Sequence, residues 1–157
     1  MPKLKKYNTA RENNLTGLKR RVFSFAKKVA KDVGLDIDIQ FGTGRQTGSM
    51  AWPHQQRIKI GGWHLECNQL KLLQVVCHEI AHVVNGLYDP VETYTSRMHH
   101  GPSFQDCETL LCEEHLGITP RYERVSGYAV SFSVGDEVVM RRSDGQGQGR
   151  GEKAWDI

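Results

Sequence analysis

The stretch of sequence that decides the fold is Val75-Val76-Cys77-His78-Glu79-Ile80-Ala81-His82-Val83-Val84. It places an H-E-x-x-H pattern inside an apolar run, which is typical of a buried helix. Residues four positions apart lie on one face of a helix, so the imidazoles of His78 and His82 can meet at one point. This spacing predicts a two-histidine site for Zn²⁺. Glu79 lies about 100° further round the helix, where its carboxylate can reach a water molecule at the metal.

The residues around this pattern support a helix with one buried side. Asn68 is a candidate N-cap, and Gly86 is the expected end of the helix. The apolar positions recur at helical spacing, and they are Leu70, Leu73, Val76, Ile80, Val83, Val84 and Leu87. The alternative interpretation is a core helix in which the two histidines are only hydrogen-bonded.

A third zinc ligand has to come from elsewhere in the chain. The metzincin pattern does not continue here, because Asn85 stands at its glycine position and Tyr88 at its last histidine position. Further on, the chain contains Met98-His99-His100-Gly101-Pro102-Ser103-Phe104. The combination of H-E-x-x-H with a later H-G-P-x-F resembles the SprT/Spartan family of zinc metalloproteases. The resemblance implies that His100 is the third ligand, and His99 is the competing position one residue away.

The resemblance covers residues 15–117 and implies an α+β, zincin-like fold. In order, we expect a basic N-terminal helix, a short antiparallel sheet, the helix that carries the H-E-x-x-H motif (the metal helix), a loop, and the helix that follows His100 (the third-ligand helix). The expected domain boundaries are a flexible basic tail at 1–14, the SprT-like metallopeptidase domain at 15–120, a β-hairpin appendix at 121–142 and a flexible glycine-rich tail at 143–157. Bacterial SprT-like proteins often add a four-cysteine zinc ribbon, which this chain lacks.

Periodicity places the remaining elements of the domain. A helix is predicted from Leu15 to a stop at Gly34, and alternation over residues 35–41 predicts a half-buried strand. The glycine-rich segment 42–48 is interpreted as a turn, and further strands are predicted at 49–52 and 56–60. Either of two strands could be the edge strand that binds an extended substrate. After Gly101-Pro102 a helix is predicted, whose apolar stripe is Phe104, Cys107, Leu110, Leu111 and Leu116.

Beyond Pro120 the spacing of the apolar residues changes from helical to alternating. Alternation at residues 128–134, a turn at Gly135-Asp136 and the apolar residues 138–140 predict a hairpin packed on the domain. The segment 143–157 combines glycines with arginine and Trp155, so it could instead contact nucleic acid by charge and stacking.

Charge is distributed unevenly along the chain. The net charge is +3, yet residues 1–31 contain ten basic side chains and a single acidic one. A basic segment of this kind favours contact with a polyanion, although a solvated helix face explains it equally well. The candidate nucleic-acid contacts are Lys19, Arg20, Lys27 and Lys28.

Length and composition limit the class of protein. The 157 residues suit a single domain. With neither a spanning apolar stretch nor a signal peptide, the chain is expected to be cytoplasmic and not membrane-bound. The four cysteines form no C-x-x-C pair and are expected to be reduced. The spare histidines His54, His64 and His115 are expected at surface or turn positions.

Together these features predict a zinc-dependent metalloprotease that cleaves a protein or peptide substrate. His78, His82 and His100 would hold Zn²⁺, and Glu79 would take the proton of the attacking water. Candidate donors to the developing oxyanion are Tyr94, Arg97 and His99. The family resemblance implies DNA-associated proteins as substrates and DNA as a partner. The alternatives are a zinc amidase and a nucleic-acid-binding adaptor with a structural zinc; the oligomeric state stays open.

Overall fold

The computed structural model describes residues 15–88, 100–125 and 127–142. It confirms a mixed α+β chain. The helices are α1 (Gly17–Asp32), α2 (Gly62–Leu65), α3 (Gln69–Tyr88) and α4 (Pro102–Leu116). The strands are β1 (Asp38–Phe41), β2 (Met50–Trp52), β3 (Arg57–Ile60), β4 (Thr119–Tyr122), β5 (Ala129–Val134) and β6 (Glu137–Arg141).

The first sheet has the strand order β1-β3-β2 and is mixed, so the prediction of an antiparallel sheet is wrong for β1. β2 and β3 pair antiparallel, whereas β1 pairs parallel with β3 in a register that sets Ile39 opposite Ile58. Alternation in sequence identifies which side chains face the core, but it carries no information about strand direction. The segment after β1 crosses to the far edge of the sheet, and this crossing makes β1 parallel to its neighbour.

That crossing segment is a turn, as predicted, and two glycines allow it to pack closely. Trp63 N–H donates to the carbonyl of Thr47 over 3.1 Å. A Cβ atom on Gly61 would lie 2.1 Å from the Thr47 carbonyl oxygen, and one on Gly62 would lie 2.0 Å from that of Gly44. Both contacts are with backbone atoms, so a side chain at either position would push the two segments apart.

Replacing Gly61 with alanine is therefore expected to lower the free energy of unfolding by about 1–3 kcal/mol, because the added methyl overpacks a backbone contact. The matched control is Gly48→Ala, since a Cβ there meets nothing within 4 Å. The urea midpoints of both variants measure the difference. Equal midpoints for the two variants would show that the loop yields without cost.

The helices mostly follow the predicted signals. Gly34 has φ +74°, the left-handed conformation expected just after the end of α1. At the start of α3, Asn68 Oδ1 accepts a hydrogen bond of 2.9 Å from the backbone N–H of Lys71, which confirms the predicted cap. Gly86, however, does not end α3 as predicted: Gly86 is buried, and α3 continues to Tyr88.

The second sheet, β4-β5-β6, contains the predicted hairpin β5–β6 and one strand that was not predicted. Pro120 has no backbone N–H to donate, but β4 is an edge strand, where a missing N–H is tolerated. The predicted boundary after residue 120 therefore falls inside a strand. Phe132 and Met140 join the same hydrophobic core as Leu111 of α4, so the hairpin packs on the rest of the chain.

Three predictions concern residues outside the described ranges. They are the tails at 1–14 and 143–157 and most of the loop between α3 and α4, which includes Tyr94, Arg97 and His99. Among the helices in the described part of the chain, none is long and apolar enough to cross a bilayer.

Candidate metal centre

The three predicted histidine ligands converge at one point between α3 and α4. His78 and His82 project from the same face of α3, and His100 stands just before α4 begins. The Nε2 atom of His78 lies 3.2 Å from that of His82 and 3.3 Å from that of His100. His100 is buried, and the three ligand atoms all lie within 4.8 Å of one another.

These separations fit a zinc ion. Two nitrogen ligands at 2.0–2.1 Å from a tetrahedral Zn²⁺ are about 3.3–3.4 Å apart. Imidazole nitrogen is a preferred zinc ligand, and three protein ligands leave one position for water or substrate. The donor set and its spacing therefore suit an open zinc site.

A single aromatic ring lies beneath all three histidines. Phe104 is fully buried, and its ring centroid lies 5.0 Å from that of His78, 4.3 Å from that of His82 and 4.8 Å from that of His100. The ring is stacked on His82 and meets the other two edge-on. This packing restricts the planes of the three imidazole rings.

Glu108, a residue that was not predicted from sequence to belong to this centre, contacts one of the three histidines. Its carboxylate is almost fully buried and accepts a 2.6 Å hydrogen bond at Oε2 from Nδ1 of His78. The hydroxyl of Tyr122 donates to the other oxygen over 2.9 Å, and Gln74 Nε2 donates to Oε2 over 3.3 Å. Because the Glu108 carboxylate holds a proton on Nδ1 of His78, the neutral form of the ring has its Nε2 lone pair available for a metal.

The electrostatics of this pair support a charged carboxylate. Burial acts to raise the pKa of Glu108, but the charge of His78 and the hydrogen bonds from His78 and Tyr122 outweigh it, so the pKa is lowered. Burial acts to lower the pKa of His78, but the charge of the Glu108 carboxylate and its hydrogen bond outweigh burial, so the pKa of His78 is raised. Glu108 therefore remains an anion that fixes the tautomer and orientation of a ligand.

One sequence signal could have identified Glu108. It lies four residues after Phe104 and three before Leu111, so it occupies the buried face of α4. The predicted stripe assigned Leu110 to that face, yet Leu110 is 59% exposed. An acidic residue within an apolar helical stripe indicates a buried polar contact.

Glu79 lies next to the histidines and is itself buried. Burial raises the pKa of Glu79 to about 7, against a lowering by His78 and with a smaller raising contribution from Glu108. A carboxyl group that titrates near neutral pH can both accept and return a proton. This property is the one that the sequence prediction requires of Glu79.

Glu79 and His78 border a cavity of about 280 Å³. This volume has room for several water molecules or part of a substrate. Its walls include Lys71, the apolar residue Phe132, and Ser49, which precedes β2. The cavity therefore connects the metal centre with one edge of the first sheet.

The buried carboxyl of Glu79 should make the metal-free protein less stable as the pH rises. Its pKa is about 7 in the folded chain and 4.5 ordinarily, so between these pH values the unfolded chain ionises more readily, and this ionisation lowers its free energy relative to that of the folded chain. Glu79→Gln removes this penalty, so its stability advantage over wild type should grow by about 3 kcal/mol from about pH 4 to about pH 8. Urea unfolding of both metal-free proteins measures it; an advantage that stays constant with pH would contradict it.

The other candidate residues are less closely linked to this centre. Lys19, Arg20 and Lys28 are exposed on α1. Lys27 instead donates a 2.6 Å hydrogen bond to the carbonyl of Ile37, so it also stabilises the fold. The structure does not compare His99 with His100, because His99 lies outside the described residues.

The spare histidines and the cysteines can also be placed. His54 is exposed, as predicted, and His64 is half-buried, with Nδ1 2.7 Å from Ser49 Oγ. The side chain of His115 is only 3% exposed, so its prediction as a surface residue is wrong. None of the four cysteines, all of which lie within the described residues, is in a disulfide bond.

Comparison with known proteins adds no relative: no protein-family model, curated protein or solved structure matches this chain.

Proposed function

We propose that the protein is a zinc-dependent peptidase. The observation that carries the proposal is the convergence of three histidine Nε2 atoms at zinc-ligand spacing, with the Glu79 carboxyl beside them. Three ligands with an open fourth position are typical of catalytic zinc sites, whereas structural sites usually have a fourth protein ligand. The H-E-x-x-H and H-G-P-x-F motifs resemble those of SprT-like proteases and support the same class.

The residues of the chain divide the chemistry between them. Zn²⁺, when bound by His78, His82 and His100, supplies a Lewis acid that lowers the pKa of water and polarises a carbonyl group. Glu79 takes the proton from the attacking water and returns it to the leaving amine. Glu108 holds the His78 ring in the tautomer that leaves its Nε2 free for the metal.

The substrate is proposed to bind as an extended strand along β2. Both β1 and β2 are edge strands of the first sheet. Ser49, the residue just before β2, lines the cavity beside Glu79, whereas no residue of β1 lines it. Backbone pairing along an edge strand presents a peptide bond without requiring a particular sequence. This arrangement suits a protease that accepts varied, unstructured protein segments.

The test of the proposed function is a cleavage assay on metal-free and zinc-reloaded protein. An unstructured casein-like protein and a DNA-binding protein serve as substrates. Cleavage by the reloaded protein alone is expected, because the water is activated only at the metal. If the reloaded protein holds zinc but cleaves neither substrate, the site is structural and the adaptor alternative replaces the peptidase.

DNA-associated proteins are the proposed substrate class, supported by the exposed basic side chains of α1. Single-stranded or double-stranded DNA should then raise the cleavage rate of a DNA-binding substrate. Reversing the charges of Lys19, Arg20 and Lys28 to glutamate should remove that stimulation and leave casein cleavage unchanged, because these contacts depend on charge. Unaltered DNA stimulation in the charge-reversed variant would exclude α1 as the contact.

A further inference from the structure

A second group of ligand-type side chains lies at the far end of α4 from the metal centre. Asp32 is the last residue of α1, and Glu114 and His115 lie in the last turn of α4. One ligand atom from each of these three residues comes within 4.8 Å of the others. From Pro102, at the start of α4, to His115 the helix rises by about 20 Å, so this group is separate from the first site.

The imidazole of His115 is the unusual member of the group. Its side chain is 3% exposed, and its buried Nε2 atom has no hydrogen-bond partner. Asp32 Oδ2 lies 3.4 Å away, within the range of an ion pair but without hydrogen-bond geometry. Buried polar atoms are nearly always hydrogen-bonded, so a nitrogen directed at a carboxylate without a bond requires an explanation.

A shared metal ion accounts for this geometry. Two ligand atoms on one tetrahedral zinc lie about 3.3–3.4 Å apart, and no hydrogen needs to lie between them. The 3.4 Å separation of His115 Nε2 and Asp32 Oδ2 matches this value. The lone pair of Nε2 would then be directed at the metal and would no longer lack a partner.

The ends of the two helices favour a cation at the same place. Unpaired carbonyls make the C-terminal turn of a helix negative, which disfavours carboxylates and favours positive charge. Asp32 and Glu114 nevertheless place carboxylates in the last turns of α1 and α4. A divalent cation between them would offset both the carboxylate charges and the two helix ends.

We propose that Asp32, Glu114 and His115 form a second Zn²⁺ site that joins α1 to α4. An imidazole with two carboxylates suits zinc better than Mg²⁺ or Ca²⁺, which prefer oxygen ligands alone. Asp32 and Glu114 are exposed, so water can complete the coordination. The role is structural, because the site lies far from Glu79 and links the ends of two helices.

The test is the zinc content of the full chain after metal removal and dialysis against micromolar free Zn²⁺. Elemental analysis is expected to give two zinc ions per wild-type chain and one for His115→Gln. The matched control is His54→Gln, which removes an exposed imidazole outside both sites and should keep two. The double variant Asp32→Asn/Glu114→Gln changes only exposed carboxylates and should also keep one zinc. It tests the same site without replacing the buried imidazole, so the result does not depend on the folding of His115→Gln.

One zinc per wild-type chain that His115→Gln retains, or two zinc ions in both the His115→Gln and the double variant, would overturn the proposal. The variant His82→Gln separates this result from the first site. It should keep one zinc, and that zinc should raise its Tm, because a ligand that binds only the folded state stabilises it. A His82→Gln protein that binds no zinc would also overturn the second site, whatever the wild type hydrolyses.

Discussion

Glu79→Gln is expected to lower the rate of peptide hydrolysis by about 10²–10⁴-fold, the usual contribution of a general base. Glutamine has nearly the same shape as glutamate, so the cavity and the neighbouring histidines keep their positions. It cannot take a proton from water, however, and it cannot return one to the leaving amine. The variant should therefore bind zinc as the wild type does and lose catalysis alone.

The measurement is kcat/KM on a casein-like substrate together with the zinc content of each protein. The matched control is Glu137→Gln, an exposed carboxylate of β6 that should leave both quantities unchanged. If Glu79→Gln cleaves at the wild-type rate with zinc in place, another group is the base. If it loses zinc as well, the lost activity would report on the metal and not on the proton transfer.

Glu108→Gln is expected to weaken zinc binding by about 10–100-fold, the usual effect of removing the partner of a metal-bound histidine. The Glu108 carboxylate accepts hydrogen bonds from His78, Tyr122 and Gln74. A glutamine there offers one acceptor oxygen and adds an NH₂ group to a cluster that already consists of donors. The His78 ring would lose its anionic partner, and its Nε2 would become a weaker ligand.

Competition with a zinc chelator measures this change in affinity. The matched control is Glu113→Gln on the same helix, because Glu113 is exposed and accepts a hydrogen bond only at the surface, from Thr119. Circular dichroism of the metal-free variants separates loss of affinity from loss of fold. Equal zinc affinities for Glu108→Gln and wild type would mean that Phe104 alone orients His78.

The parts of the molecule that were predictable from sequence are those set by local spacing. The pair His78 and His82 follows from helical periodicity, and the cap at Asn68 follows from side-chain chemistry. The position of His100 came only from the family resemblance, because no local spacing connects it to α3. Its place in the cluster is a consequence of how α4 packs on α3.

The features that were missed depend on tertiary packing. Glu108 was overlooked because hydrophobic periodicity treats an acidic residue as exposed, whereas three donors from other elements make its burial favourable. The parallel pairing of β1 with β3 depends on the path of a crossing segment. The strand β4 was not predicted, and its Pro120 is tolerated because the strand lies at an edge of the sheet.

The position of His100 has a further consequence for the chain between the helices. A metal bound by both His82 and His100 would link the two ends of the segment 83–99 in the folded chain. Because the unfolded chain does not hold the three histidines together, zinc would stabilise the folded chain by mass action, by about 2.7 kcal/mol at a free zinc concentration of about 100 times its Kd. Zinc would thus link two parts of the folded chain as well as activate water, and its removal should make the whole chain easier to unfold.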